Sequence, residues 1–322
     1  CKLASKAKSS KTSVNGRPPK EPSMSNEKIG FVGLGMMGLP MARNLVEDGY
    51  SVNVFDLNEA TVNAAKDFGA TSSDSAADTA TLSDIVITMV PDSEHVEAVI
   101  AGEDGILEGL KPGSVVIDMS TIDPEMGKKM ANLIEAKGSN FVDAPVTGGV
   151  GGAEAGILSI LVGGNAEVFE RALPVLNVLG GDVSHMGPVG SGHTTKIANQ
   201  LIGVATLAGM AEAFVLAKKS GLDMQAFFDA VKNGAGRSWA LETLGPKILD
   251  GDFTPGFMVK HMQKDLRLAG QLAAETGTAL PTSTLIAQLY RSVQADGPDA
   301  VNQGHQALVQ AIEKMSNEKA RK

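Results

Sequence analysis

Cysteine is almost missing from this chain. Of its 322 residues only Cys1 is a cysteine, so no intrachain disulfide can form. That suits a reducing compartment, and a cytoplasmic location is expected. Aromatic residues are also scarce, at 4%, and the net charge is −9. Without a basic patch interleaved with aromatics, the chain is not expected to bind nucleic acid. The five histidines (His95, His185, His193, His261 and His305) are scattered, and none stands at metal-ligand spacing to Cys, Asp or Glu. No metal is expected. Long hydrophobic runs are few. Residues 197–217 could cross a bilayer by length, but Asn199, Gln200 and Glu212 interrupt them. A buried helix between domains is expected there, and no membrane partner.

Glycine is abundant, with 37 residues, while 43% of the chain is hydrophobic and 20% charged. Such a composition gives a globular protein with many close backbone approaches. A chain of 322 residues is too long for one ordinary core, so two domains are expected. Residues 1–27 differ from the rest. They hold six basic residues before the first acid, Glu21, together with Pro-Pro and no apolar periodicity. A disordered basic tail is expected, with Met24 as a natural start and the residues before it as an upstream extension.

Residues 28–190 alternate between two patterns. The short apolar runs "KIGFVG", "SVNVFD", "DIVITMV", "SVVIDMS", "NFVDAPV" and "LSILVGG" read as buried strands, with helical patterns between most of them. Strand–helix alternation predicts an α/β fold with a doubly wound parallel sheet. Residues 191–322 show no strand. Helices are predicted over 193–219, 223–233, 239–250, 257–275, 281–295 and 304–316, separated by glycine- and proline-containing breaks. An all-α domain therefore follows, and the helix that carries Lys196 joins the two.

The first predicted strand runs into Gly33-x-Gly35-x-x-Gly38, followed by an amphipathic helix with Met37, Met41 and Leu45 on one side. This is the context in which a glycine loop cradles a dinucleotide. Gly33 makes the tight turn, Gly35 lets the backbone approach a pyrophosphate, and Gly38 packs helix on strand. Leu34, Met36 and Met37 complete the cradle, and the helix N-terminus meets the phosphate charge. Asp56 closes the second strand, 18 residues past Gly38 (56 − 38). An acid there accepts the ribose hydroxyls of NAD and repels a 2′-phosphate, and neither Leu57 nor Asn58 supplies an arginine. NAD is expected rather than NADP.

Two further stretches carry chemistry. Thr147-Gly148-Gly149 follows a strand and offers a hydroxyl with consecutive backbone N–H groups, which suits a carboxylate but also an ordinary glycine turn. Lys196, Asn199 and Gln200 share one face at the start of the apolar helix, which fits either a solvated helix end or a lysine with orienting partners. His193, one turn earlier, reads as a solvated residue of the helix start.

The motifs "GLGMMG", "DAPVTGG", "GSGHTTKIANQ" and "KDL", in this order over residues 29–315, resemble those of the β-hydroxyacid dehydrogenases, which include 3-hydroxyisobutyrate dehydrogenases and tartronate semialdehyde reductases. The resemblance implies a Rossmann domain and a helical domain joined by a long helix, and homodimers or homotetramers. It implies that Lys196 is the catalytic lysine and Asn199 a substrate-binding neighbour. Thr147, Gly148 and Gly149 become the substrate-carboxylate loop, and Val90, Pro91, Thr121 and Lys264 become cofactor contacts. Two positions depart from the common pattern. Thr147 stands where serine is commoner, and Gln200 where many 3-hydroxyisobutyrate enzymes carry a second asparagine. The "KIANQ" form is more like the tartronate semialdehyde reductases. A non-catalytic binding protein of the same fold is the competing class, and the presence of Lys196, Asn199 and the whole loop favours the enzyme.

Overall fold

The computed structural model describes residues 27–322. The expected basic tail, apart from Glu27, lies outside them. The first part of the chain runs β1 (Ile29–Val32), α1 (Gly38–Glu47), β2 (Val52–Phe55), α2 (Glu59–Asp67), β3 (Thr71–Ser72), α3 (Ala76–Thr81), β4 (Ile85–Thr88), α4 (Ser93–Ala101), α5 (Ile106–Gly109), β5 (Val115–Asp118), α6 (Pro124–Glu135), β6 (Asn140–Asp143), β7 (Val146–Thr147), α7 (Gly149–Ala155), β8 (Leu158–Gly164), α8 (Ala166–Leu179) and β9 (Gly180–Gly187). The second part is helical: α9 (Ser191–Lys219), α10 (Met224–Val231), α11 (Trp239–Asp250), α12 (Val259–Thr276), α13 (Pro281–Gln294) and α14 (Leu308–Ser316).

The sheet order is β3-β2-β1-β4-β5-β6-β8-β7, with β9 beside β8. From β3 to β6 every pairing is parallel. The order reverses at β1, whose neighbours are β2 and β4, so this is a Rossmann-type sheet with its switch point at β1. The direction changes at β8, which runs antiparallel to β6 and β7. The chain reverses through α7, between β7 and β8, and Pro145 in the predicted strand "NFVDAPV" divides that run into β6 and β7. β9 was not visible in the sequence, because "GGDVSHMG" is glycine-rich, polar and mostly exposed.

The strands alternate between two cores. Ile29, Phe31, Ile85, Ile87, Val115 and Ile117 pack on one face of the sheet. Val32, Val86 and Val116 pack on the other, against Ile100, Met130 and Ile134. Both faces are covered, which is why these strands read as continuous apolar runs. A third core, around Val204, Leu207, Phe214, Leu244, Ile248 and Tyr290, fills the helical domain. Although α9 is long and apolar enough to cross a membrane, it runs through this core.

The register aligns Val32, Thr88, Asp118 and Asp143 across neighbouring strands. The loops after β1, β4, β5 and β6 therefore leave from one edge of the sheet. In open α/β sheets this edge is where ligands bind.

Candidate active site

Each glycine of the loop between β1 and α1 has its own reason. Gly33 has φ +98°, and a Cβ there would run into the Met89 carbonyl oxygen. At Gly38 a Cβ would collide with the carbonyl oxygen of Gly33. Gly35 has nothing within 4 Å of a Cβ position, so its missing side chain leaves open space. No side chain caps the start of α1, and its first turn holds no acid. Free N–H groups at a helix start beside an open glycine fit a pyrophosphate. Asp56 adjoins the loop: its Oδ2 accepts the Leu34 N–H at 2.5 Å and its Oδ1 accepts the Asn58 N–H at 2.8 Å. Replacing Gly35 by Ala should leave folding stability within about 0.5 kcal/mol, since the new methyl touches no protein atom. It should weaken NADH binding roughly tenfold or more, which is ~1.4 kcal/mol. Thermal melts and NADH fluorescence titration of the variant check both halves.

The helical domain reaches this loop edge through one side chain. Lys264 of α12 donates from Nζ to the carbonyl oxygens of Pro91 (2.9 Å) and Thr121 (2.6 Å), which follow β4 and β5. Ser120 Oγ accepts the Val90 N–H at 3.0 Å, so the two loops are also bonded to each other. Read from sequence, Lys264 had no local logic. In the fold its side chain is only 15% exposed and lies 3.4 Å from Asp265 Oδ1.

Asp265 leads to Lys196. Its Oδ2 accepts from Gln200 Nε2 at 2.7 Å, and Gln200 Oε1 accepts from both Lys196 Nζ (3.0 Å) and Asn199 Nδ2 (3.2 Å). Lys196 is therefore no solvated helix end: it is buried, as is Asp265. Burial pushes the Lys196 ammonium down to about 8. The Asp265 charge pulls it back up, and the neighbouring Lys264 charge pushes it down. An amine in that range can both hold and release a proton near neutral pH.

Thr147 ends β7 and is half-buried. Gly148 and Gly149 follow with φ +133° and +66°, values that favour glycine at both positions. Thus the fold brings the glycine loop, Asp56, Val90, Pro91, Thr121 and the Thr147 loop to one sheet edge. Lys264, through its bonds, ties the Lys196–Asn199–Gln200 cluster to that edge.

Residue-pattern reasoning passed over three buried acids: Asp118, Asp143 and Asp265. Asp143, at the end of β6, accepts the N–H groups of Gly190 (2.8 Å) and His193 (2.8 Å) and so caps α9 from a neighbouring strand. The signal was present in "VVID" and "NFVD". An acid that closes an apolar strand run cannot be left in the core without partners. His193 also differs from the expectation of a solvated residue: it is fully buried.

Two family models match almost the whole described chain. Residues 28–187 match the NAD binding domain of 6-phosphogluconate dehydrogenase, and residues 190–312 match the model described as NAD-binding of NADP-dependent 3-hydroxyisobutyrate dehydrogenase. The 2-(hydroxymethyl)glutarate dehydrogenase of Eubacterium barkeri is 42% identical, over 84% of this chain and 90% of that protein. The 2-hydroxy-3-oxopropionate reductase of Escherichia coli is 38% identical, over 91% of this chain and 99% of its own length. This chain belongs to the β-hydroxyacid dehydrogenase family. Among solved structures, a 3-hydroxyisobutyrate dehydrogenase of Mycobacterium tuberculosis with L-serine superposes with a TM-score of 0.81 at 35% identity, covering 89% of this chain and 99% of that one. As a β-hydroxyacid dehydrogenase the chain is an NAD-dependent oxidoreductase with an NAD-binding Rossmann domain and a helical C-terminal part.

Proposed function

We propose that this enzyme interconverts 2-hydroxy-3-oxopropionate and glycerate, with Lys196 as its general acid and base. The buried position of Lys196, bonded to Gln200 and lowered to about 8, carries the chemical part of this reading. A nicotinamide held at this edge would supply or take up the hydride. Lys196 Nζ, 3.0 Å from Gln200 Oε1, can pass a proton to the oxygen of a substrate carbonyl, while its charge stabilises the developing alkoxide. In the oxidation direction the neutral amine takes the proton back. Asn199 binds the substrate beside it. Thr147, Gly148 and Gly149 hold the carboxylate. Gly33, Leu34, Gly35, Met36, Met37, Gly38 and Asp56 would hold the pyrophosphate and adenosine ribose, with Val90, Pro91, Thr121 and Lys264 nearer the nicotinamide.

The choice of substrate rests on the Lys196-Ile197-Ala198-Asn199-Gln200 form, which resembles the tartronate semialdehyde reductases, and on the likeness to the Escherichia coli enzyme over nearly its full length. We place the enzyme in the cytoplasm as a homodimer or homotetramer, with a small carboxylate as its only partner besides the cofactor.

The test is a substrate panel of glycerate, 3-hydroxyisobutyrate, L-serine and 2-(hydroxymethyl)glutarate with NAD, followed at 340 nm. Glycerate should give the highest kcat/KM; a clear preference for another acid reassigns the substrate while leaving the reaction class. The methyl ester of the preferred acid should be poor, because esterification removes the charge that the Thr147 loop is read to bind. Equal kcat/KM for acid and ester would mean that this loop does something else.

The two directions should respond oppositely to pH. Reduction needs protonated Lys196 and should fall as pH rises through about 8. Oxidation needs the neutral amine and should rise over the same range. Profiles of kcat in both directions would reveal it, and parallel profiles would remove Lys196 from the proton step.

A further inference from the structure

Three residues before Lys196, the chain buries an imidazole against a carboxylate. His193 Nε2 lies 3.5 Å from Asp118 Oδ2, and both side chains are fully excluded from solvent. Among the described residues His193 Nδ1 has no hydrogen-bond partner, and the Nε2–Oδ2 approach is the one polar contact of those two atoms. Burying such groups with so few partners is costly, so their placement calls for a reason.

Asp118 is a fixed point. Its Oδ1 accepts from Thr88 Oγ1 at 2.8 Å and from the Ser120 N–H at 3.1 Å, so the strand ends of β4 and β5 hold it. The other oxygen is left toward His193. Burial pushes the Asp118 carboxyl up, but the facing imidazole and the Ser120 and Thr88 groups outweigh it and keep it below the usual carboxylate value. The ring also meets α6 at Gly127, where a Cβ would stand 2.9 Å from His193 Cδ2 and 3.2 Å from Nε2. No larger residue fits there without moving the ring. The His193 backbone is held separately, by Asp143 of β6. The first turn of α9 is thus gripped through its backbone from β6, with its side chain set opposite the end of β5. Lys196 stands on the next turn of the same helix.

We propose that Asp118 and His193 form a buried latch between the Rossmann sheet and the interdomain helix, and that His193 is a positioning residue for Lys196. Its partner, Asp118, ends β5 two residues before Ser120 and three before Thr121, on the loop that Lys264 also grips. The latch therefore fixes the catalytic lysine relative to the loops that would hold the nicotinamide. It acts on the orientation of the lysine and leaves the glycine cradle alone.

This inference rests on the reading of Lys196 as the acid–base group, and the experiment separates the two. Lys196→Ala, His193→Leu, His193→Gln and Asp118→Asn are compared in kcat, KM for NAD and NADH affinity, using the best acid of the four-acid panel. His193→Leu should lower kcat about tenfold, ~1.4 kcal/mol in the barrier, with KM for NAD and NADH affinity unchanged. His193→Gln, which keeps a donor toward Asp118, should recover most of that loss. Asp118→Asn combined with His193→Leu should cost no more than the worse single change, because each acts through the other. A His193→Leu kcat within twofold of wild type, or a loss that appears in KM for NAD instead, would overturn the latch. So would additive losses in the double variant. If His193→Leu does not fold, His193→Gln and Asp118→Asn decide alone: a tenfold fall in kcat for Asp118→Asn with near-normal His193→Gln supports the latch, and any other pattern rejects it. Activity retained by Lys196→Ala would instead count against the reading of the lysine itself.

Discussion

Lys196→Ala should lose turnover by roughly 10²–10⁴-fold, the range typical of general acid–base groups, and should still bind NADH. The substitution removes the one buried amine in the Gln200–Asp265 chain. It leaves the glycine cradle and Asp56 untouched, because no hydrogen bond runs from Lys196 to either. Gln200 keeps its bond to Asp265, so the helical core retains its polar pairing. Lys196→Arg should be nearly as inactive, since a guanidinium stays protonated at working pH and cannot take a proton back. Steady-state rates at 340 nm give the loss, and NADH fluorescence titration gives the affinity. A variant that keeps a third of the wild-type rate would sink the assignment. A variant that loses NADH binding in step with turnover would show a structural lesion instead.

Wild type should prefer NAD over NADP by roughly a hundredfold or more in kcat/KM. Like charges set face to face cost several kcal/mol, and ~1.4 kcal/mol is tenfold. The acid proposed to discriminate is Asp56, which both the Leu34 and Asn58 N–H groups hold at the end of β2. A 2′-phosphate on the ribose would approach this fixed carboxylate, and no arginine follows it. Asp56→Asn should relax the preference by removing the charge. It should also weaken the cradle slightly, because an amide nitrogen cannot accept the bond that a carboxylate oxygen accepts. Leu57 is 92% exposed, so Leu57→Arg needs no repacking and should push the preference toward NADP. Saturated turnover with NADH should fall only modestly in both variants. Kinetics with both cofactors decide the matter, and a wild type that uses NADPH as well as NADH would show that Asp56 does not face the ribose.

Much of this fold was legible because its strands are buried on both faces. "KIGFVG", "DIVITMV" and "SVVIDMS" show as apolar runs only when both neighbours of a strand are covered. The helices of the second domain were legible from their breaks, and the ends of α11 and α13 fall within one residue of the predicted ones. Elements without a buried run stayed hidden. β3 is two exposed residues, and β9 has no run of buried residues, only Gly180 at its start. The site divides in the same way. Glycines and a lysine at motif spacing can be read in one dimension. The Gln200–Asp265 bond joins residues 65 apart, and Asp143 caps a helix that begins 48 residues later (191 − 143). Such pairings depend on which strand end faces which helix, and no local pattern encodes that.

The helix starts of the first domain bear on heat tolerance. Asn58, Ser75, Asp92, Asp123 and Asn165 each cap a helix with their own side chain, those of α2, α3, α4, α6 and α8. α1 has no such cap, and nor do the short α5 and α7. A missing cap costs about 0.5–2 kcal/mol, so the start of α1 is an obvious place to look for extra stability. Yet an aspartate or serine introduced at Met37 would occupy the same N–H groups that the proposed phosphate site uses. It would act as an inhibitor tethered inside the chain. Selection for higher melting temperature, without selection for turnover, would therefore drift toward changes at residues 33–38 that harden the protein and disable it. Libraries built for thermal robustness should hold this stretch fixed and seek their gains at the remote helix ends.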